Sequence, residues 1–345
     1  MKLILNIGMH KTGSSSIQQS FAKYESEKAK YLQLGHPNHS ATLMTMFMAH
    51  PEKYHAHRKN RRSIDAITEL KAKFWRRFES FVAQADVPTI LSSAEDVSIM
   101  DEGDLQSMRQ KLESTFSQIT IIGYARPPAS FMSSAVQQRI AGGVNWNANS
   151  LYPNYQSRFE KFDNVFGKKN VVLTKFSRDT LLNGDVVQDF AAKAGVKIRL
   201  DQIVQDNPGR SLEASSVLFA QRSLGRGYQN YNRAPVHNKR LVDVLRTLGS
   251  QPVRLHGDLV GPILAKHTDD LKWISERLGC DFTDQPSKDP QAIRSEADLH
   301  MIAANHLPEV LTLIANELKN APTDPKITAN AVDMLLDVIR AKDPA

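Results

Sequence analysis

The chain opens with a short apolar run, Leu3 to Ile7, rich in β-favouring residues and bounded by Gly8. Such a run reads as a buried strand. The period then changes. Ile17 and Phe21 stand four apart, on one face of a helix that starts at Ser14, Ser15 and Ser16. The same alternation recurs. Val87 to Ser93 predicts a second strand, entered through Pro88, and Gln118 to Tyr124 a third. Val171 to Phe176 predicts a fourth, after a helix stop at Gly167. Helices are predicted through Leu43, Met44, Phe47 and Met48, capped by Ser40 or Asn38. A longer one carries Ile67, Leu70, Phe74, Phe78, Phe81 and Val82 on one side. Others are predicted over about Asp104 to Phe116, after the prolines 127 and 128, over the aromatic segment Asn145 to Phe166, and over Asp185 to Ala194, closed by Gly195. Strands alternating with helices predict a three-layer α/β fold around a mostly parallel sheet.

From Leu212 onward the pattern is mainly helical. Pro286 to Pro290 reads as a linker, and amphipathic helices around Ala297–Leu318 and Ile327–Ile339 follow it, as caps for the core or as a dimer contact. This organisation predicts a domain 1–284, with a core of about 1–205 and a helical part 206–284, and an α-helical C-terminal extension, 285–345. A homo-oligomer is compatible with it.

The loop between the first strand and helix is suited to an anion. Gly8 and Gly13 permit backbone angles that a side chain disfavours, so successive N–H groups can line one concavity. The helix N-terminus adds its positive end, Lys11 a full charge, and Ser14, Ser15 and Ser16 hydroxyls. The two glycines have the spacing of a P-loop, but Ser14 occupies the position that a P-loop gives to lysine. A second constellation follows the third strand. Arg126 stands at the strand end, Pro128 two residues on, and Ser134 at the eighth position. An arginine fork with a nearby hydroxyl suits a terminal phosphate. Glu95 and Asp96 lie just past the second strand, where open parallel sheets bind ligands. Glu95 has two readings there, a group with chemistry or a carboxylate favoured by a helix N-terminus.

Composition narrows the partners. A chain of 345 residues that is 41% hydrophobic supports one large domain, or a core with an appendage. The net charge of +7 favours an anionic ligand or acceptor. No zinc-finger spacing or interleaved aromatic and basic run points to nucleic acid. A lone cysteine, Cys280, excludes an internal disulfide and fits a reducing compartment. No cysteine pair or His-Glu-x-x-His pattern suggests a metal, and none is expected. The N-terminal apolar run is too short for a signal peptide, and no run reaches the ~18 apolar residues of a membrane helix. The expectation is a cytoplasmic protein, with transient membrane-surface contact compatible. The basic stretch of His55, His57, Arg58, Lys59, Arg61 and Arg62 reads either as a solvated connection or as an electrostatic rim for an anionic acceptor.

Taken together, Gly8-Met9-His10-Lys11-Thr12-Gly13 followed by three serines resembles the 5′-phosphosulfate loop of sulfotransferases that use 3′-phosphoadenosine 5′-phosphosulfate (PAPS), bacterial members in particular. Arg126, Pro128 and Ser134 are similar to that family's 3′-phosphate segment. The likeness is best through about Gly195 and looser to about Phe282. It implies transfer of a sulfuryl group from PAPS to a hydroxyl or amine of a saccharide or glycolipid, with release of 3′,5′-ADP. His10, Lys11, Thr12, Gly13, Ser14, Ser15 and Ser16 would bind the donor's 5′ side, and Lys11 would meet the leaving oxygen. Arg126 and Ser134 would hold the 3′-phosphate. Arg210 would add to them, or stand as a surface arginine. Histidine-bearing loops in the family make His39 a candidate base beside Glu95. Its other reading is a surface turn. The alternatives are a P-loop-like kinase or NTPase, which needs Mg²⁺ and an acidic residue such as Glu95 or Asp96 to hold it, and a non-catalytic nucleotide-binding relative.

Overall fold

The structure is a computed structural model that describes residues 1–143, 147–205, 209–228, 234–319 and 324–342, the last six as backbone only. Among the described residues, five strands form one sheet: β1 (Lys2–Asn6), β2 (Ala29–Tyr31), β3 (Thr89–Ser93), β4 (Gln118–Ala125) and β5 (Val171–Lys175). Their order is β2-β3-β1-β4-β5 and every pairing is parallel. Leu5 pairs with Ser92 on one side and Ile121 on the other. The chain therefore crosses from one side of β1 to the other between β3 and β4. In open parallel sheets such a switch leaves a crevice at the carboxyl ends of the strands. β2, with Lys30 between Ala29 and Tyr31, is a short edge strand that the apolar pattern does not announce.

Helices cover both faces, which is why the strands read as nearly continuous apolar runs. On one face lie α1 (Ser14–Phe21) and, later in the chain, Val186–Lys193. Ile17, Phe21 and Phe190 pack there with Ile4, Leu91, Ile122 and Tyr124. The other layer is built from α2 (Ser40–Phe47), α4 (Ile64–Gln84), α5 (Glu102–Glu113) and α7 (Tyr155–Phe166); α3 (His55–Lys59) and α6 (Pro128–Ala141) lie between them in the chain. Val186–Lys193 is α8. Asp185 caps α8 by accepting from the N–H groups of Val187 (3.0 Å) and Gln188 (2.9 Å). At α2, Asn38 Oδ1 accepts from Ser40 N (2.8 Å), while His39 holds the cap position. The predicted aromatic helix begins later than expected, at Tyr155, and Asn145 lies outside the described residues.

Contacts divide the chain into two compact units, Met1–Arg210 with Pro252–Glu296, and Ser211–Gln251 with Ala297–Ala345. In the first unit, α11 (Gly257–Ala265) and α12 (Thr268–Leu278) follow α9 (Leu212–Ser223) and α10 (Ala234–Leu245) in the chain. Pro286–Pro290 is no free linker, because Ser287 bridges to His256 and its carbonyl accepts from Gly257 N (2.9 Å). This returning segment supplies helix caps. Asp284 accepts from the N–H groups of Ala129 (2.8 Å) and Ser130 (2.7 Å) at the start of α6. Asp270 accepts from Tyr155 N (2.9 Å) and Gln156 N (2.7 Å) at the start of α7. The second unit holds α9, α10, α13 (Glu296–Asn305), α14 (Leu307–Leu318) and α15 (Pro325–Lys342), apart from the first residue of α13. The single helix expected over 297–318 is broken at His306, where Pro308 takes the first turn of α14. No described helix is long and apolar enough to cross a membrane.

Candidate active site

β1 delivers its carboxyl end into the loop Gly8 to Gly13. Gly8, Lys11 and Gly13 all have positive φ, at 55°, 65° and 73°. A side chain on Gly13 would meet Val186 Cγ1 at 2.6 Å, and one on Gly8 would meet Ser14 Oγ at 2.6 Å and Glu95 Cβ at 3.2 Å. Glycine is therefore required at both for space as well as for angle. Lys11 adopts the same left-handed region without that freedom, a strained conformation of the kind that accumulates at functional loops. The loop is tied from within. Gly8 N donates to Asn6 Oδ1 (3.1 Å), and Thr12 Oγ1, fully buried, donates to Met9 O (2.5 Å). Ser14 Oγ is buried at the start of α1 and has no hydrogen-bond partner among the described residues. Ser15 is exposed and Ser16 half-buried.

Arg126 leaves the end of β4 and reaches this loop. Its Nη1 donates to Lys11 O (2.9 Å), its Nε to Ser130 Oγ (3.3 Å), and its main-chain N to Met9 Sδ (3.3 Å). Tyr155 OH donates to Arg126 O (2.6 Å). Burial lowers the basicity of its guanidinium, and Asp284 opposes that effect. Ser134, two turns into α6, is half-buried, and its side chain makes no hydrogen bond among the described residues. Arg210 lies against the same helix, where its Nη2 donates to Gln137 O. The structure thus brings Lys11 and Arg126 together, and places Ser134 and Arg210 along α6.

Glu95 begins the short helical turn Glu95–Ile99 that follows β3. It is half-buried beside Gly8 and the buried Ser14. Burial pushes its carboxyl above the usual range; His10 opposes that, Asp96 adds to it, and the Ser14 hydroxyl and then Lys11 oppose it more weakly. Asp96, next in the chain, is buried and well partnered. His10 Nε2 bonds its Oδ1 (2.7 Å), Tyr54 OH donates to its Oδ2, and its own N–H donates to Ser40 Oγ (3.2 Å). Burial alone would raise its carboxyl, but the hydrogen bonds from His10 and Tyr54 hold it below the usual range. Arg158 of α7 stands nearby and donates to Ser98 Oγ (2.8 Å).

His39 lies elsewhere than on a surface turn. It is 0% exposed, stacks on Tyr31 at 4.9 Å between centroids, and pairs Nδ1 with Ser92 Oγ at 2.8 Å. Burial pushes its imidazole down to about 3, so it sits neutral in the fold. His10, Glu95 and Asp96 each bring one potential ligand atom within 4.8 Å of the others. His10 Nε2 is already committed to Asp96, and Asp96 also takes Tyr54, so the three form a hydrogen-bonded network, and we assign no metal to it. Tyr54, Ser130 and Arg158 are site neighbours to which the sequence reading gives no role. Asp96 is read there only as an acidic residue past a strand end, able to hold Mg²⁺ in the kinase or NTPase alternative, and not as the partner of His10.

No protein-family model matches the chain, and no curated protein matches it. Among solved structures it is similar to a sulfotransferase from Alicyclobacillus acidocaldarius, with 16% identity over 68% of this chain and 95% of that one, at a TM-score of 0.37. It is also similar to the sulfotransferase domain of a Synechococcus olefin synthase, with 14% identity over 77% and 94% of the two chains, at a TM-score of 0.34. A third similar structure is a retinol dehydratase in complex with androsterone and the inactive cofactor PAP, with 14% identity over 83% and 82%, at a TM-score of 0.28.

Proposed function

We propose that the protein transfers the sulfuryl group of PAPS to a hydroxyl or amine of an acceptor, a saccharide or glycolipid, and releases 3′,5′-ADP. One observation carries this reading. The anion loop around Lys11 and the phosphate-type arginine Arg126 come from distant parts of the chain and are joined by a 2.9 Å hydrogen bond. A donor with anionic groups on both sides of its ribose needs two such centres. The buried, unpartnered Ser14 Oγ and the close-packed Gly8 and Gly13 fit a loop that closes on an anion.

In this reading His10, Lys11, Thr12, Gly13, Ser14, Ser15 and Ser16 surround the phosphosulfate, and Arg126, Ser134 and Arg210 meet the 3′-phosphate. The acceptor oxygen forms a bond to sulfur as the bond from sulfur to the bridging phosphate oxygen breaks. The acceptor proton passes to Glu95. The bridging oxygen keeps the electron pair, and Lys11 offsets the charge that develops there. Positioning and preorganised charge supply most of the catalysis, as in phosphoryl transfer. We assign the base to Glu95 over His39, because Glu95 has exposed surface and His39 has none. The division 1–284 and 285–345, a cytoplasmic setting, and a second copy against the exposed Leu307, Leu311, Ile314 and Leu318 of α14 belong to the same proposal.

Calorimetry and thermal shift with 3′,5′-ADP against ATP–Mg²⁺ test the donor site, and transfer of labelled sulfuryl from PAPS to lysate glycans and lipids tests the reaction. Tight 3′,5′-ADP binding with transfer is expected. Stabilisation by ATP–Mg²⁺ alone overturns the reading in favour of a kinase or NTPase. Binding without transfer leaves a nucleotide-binding relative.

A further inference from the structure

The loop histidine has a partner set that donor binding does not explain. His10 Nε2 is fixed to Asp96 Oδ1 at 2.7 Å, and among the described residues its side chain makes no other hydrogen bond. Asp96 is itself held from three directions, by His10, by Tyr54 OH and through its own N–H by Ser40. His55 Nε2 stands 4.0 Å from its other oxygen. Three segments of the chain, at Ser40, at Tyr54–His55 and at Asp96, thus converge behind one imidazole in the loop, at 28% side-chain exposure. An unconstrained loop histidine would need none of this. A carboxylate hydrogen-bonded to an imidazole orients the ring, the arrangement by which buried carboxylates position histidines elsewhere.

The ring held in this way stands beside Glu95. Potential ligand atoms of His10, Glu95 and Asp96 all lie within 4.8 Å of one another, so the imidazole is close to both carboxylates. The groups around Glu95 can be named element by element. The β1–α1 loop contributes His10 and Lys11, α1 contributes Ser14, and its own helical turn contributes Asp96. Tyr31 of β2 and Tyr54 before α3 are close enough to feel its charge. Lys11 is occupied with the leaving phosphate in the proposed reaction. Asp96 has the same sign as Glu95 and opposes its ionisation. The Ser14 hydroxyl and Lys11 favour the ionised carboxylate, and His10 favours it more strongly than either.

We propose that His10 is a positioning residue for Glu95: pinned by Asp96, which Tyr54 holds in turn, its ring stands beside the Glu95 carboxylate and, when protonated, favours the ionised form a base requires. This rests on the sulfuryl-transfer reading for the purpose of that base, but the electrostatic relation is measurable without an acceptor. The direction in which His10 acts on the Glu95 carboxyl agrees with the geometry.

The test is a side-chain ¹³C NMR titration of the glutamate carboxyls in the full chain, with Glu95→Gln identifying the Glu95 signal. His10→Gln keeps a donor for Asp96 and removes the charge. The expected result is a Glu95 midpoint moved to higher pH by about one pH unit, the scale of a single nearby charge. His10→Lys, which restores a cation, should bring it back towards the wild-type value. Tyr54→Phe, which loosens Asp96, should move it in the same direction as His10→Gln, by less. An unmoved or lowered midpoint in His10→Gln, or no recovery in His10→Lys, overturns the proposal. Calorimetry with 3′,5′-ADP on the same samples keeps the two readings apart. Failure to bind it in the wild type rejects the donor assignment whatever the titration shows; weaker binding in His10→Gln is expected from the donor contact already proposed for His10, and loss of binding with an unmoved Glu95 midpoint leaves His10 a donor ligand alone.

Discussion

Arg126 donates from Nη1 to the main-chain oxygen of Lys11 over 2.9 Å, although 115 positions separate the two residues. The bond makes the end of β4 a brace for the loop after β1. It also means that Arg126 has two tasks in the proposed site, one towards a phosphate and one towards the loop.

Those tasks can be separated by ligand. Arg126→Ala should weaken 3′,5′-ADP far more than 5′-AMP, because only the former carries the phosphate that the guanidinium is proposed to meet. A charged hydrogen bond contributes about 1.5–3 kcal/mol. A smaller loss for 5′-AMP is expected from the loosened loop. Calorimetry showing equal losses for both nucleotides would sink the phosphate assignment and leave Arg126 as a brace alone.

Lys11 should show the opposite profile. Lys11→Ala removes charge where the leaving oxygen develops it, so sulfuryl transfer should fall on the order of 10²-fold or more. The loop geometry survives in principle, since alanine pays the same left-handed penalty that lysine already pays at φ 65°. Near-wild-type transfer in a folded variant rules the role out.

The loop and the strands were legible because their signals are local. An apolar run ending at Gly8, a lysine between two glycines and Ile17 four before Phe21 all fall within twenty residues. β2 was not, because three residues at a sheet edge, one of them Lys30, carry almost no pattern and owe their pairing to β3 some sixty positions later. His39 misled for the same reason. Gly35, His36, Pro37 and Asn38 make its surroundings look like a surface turn, yet Tyr31 and Ser92 enclose its ring. The Asp96 network depends on Tyr54, 42 positions away, and on His10, 86 away, and no spacing rule joins them.

The enclosed His39 predicts a pH dependence of stability. Its folded value of about 3 lies below the ordinary 6.5 of the unfolded chain. Above that ordinary value neither state binds the extra proton, and the linkage is silent. As pH falls below it, the unfolded chain takes up a proton that the fold refuses, so stability is lost progressively down to about pH 3. Urea denaturation at pH 7 and pH 5 should show a lower midpoint at pH 5, and His39→Asn should shrink that difference. An undiminished difference in the variant assigns the acid sensitivity to other groups.

The base is the assignment on which the acceptor side depends. Glu95 has what the position demands: a strand end behind it, exposed surface, and burial that raises its carboxyl above the usual carboxylate range, which strengthens it as a base. His39 has a ring suited to proton transfer in water, but its imidazole is enclosed and held neutral by burial. Glu95→Gln is close to isosteric and should leave 3′,5′-ADP binding intact while sulfuryl transfer falls by about 10²-fold or more. His39→Asn should lower stability and leave transfer near the wild-type rate at a temperature where both proteins are folded. The rate against pH separates the cases further. In the wild type an acidic limb belongs to the Glu95 carboxyl, and it should vanish in Glu95→Gln. If the limb persists there and disappears in His39→Asn instead, the enclosed histidine becomes accessible during turnover and the base is His39. If both variants transfer normally, the proton leaves the acceptor by another route, and neither side chain faces it.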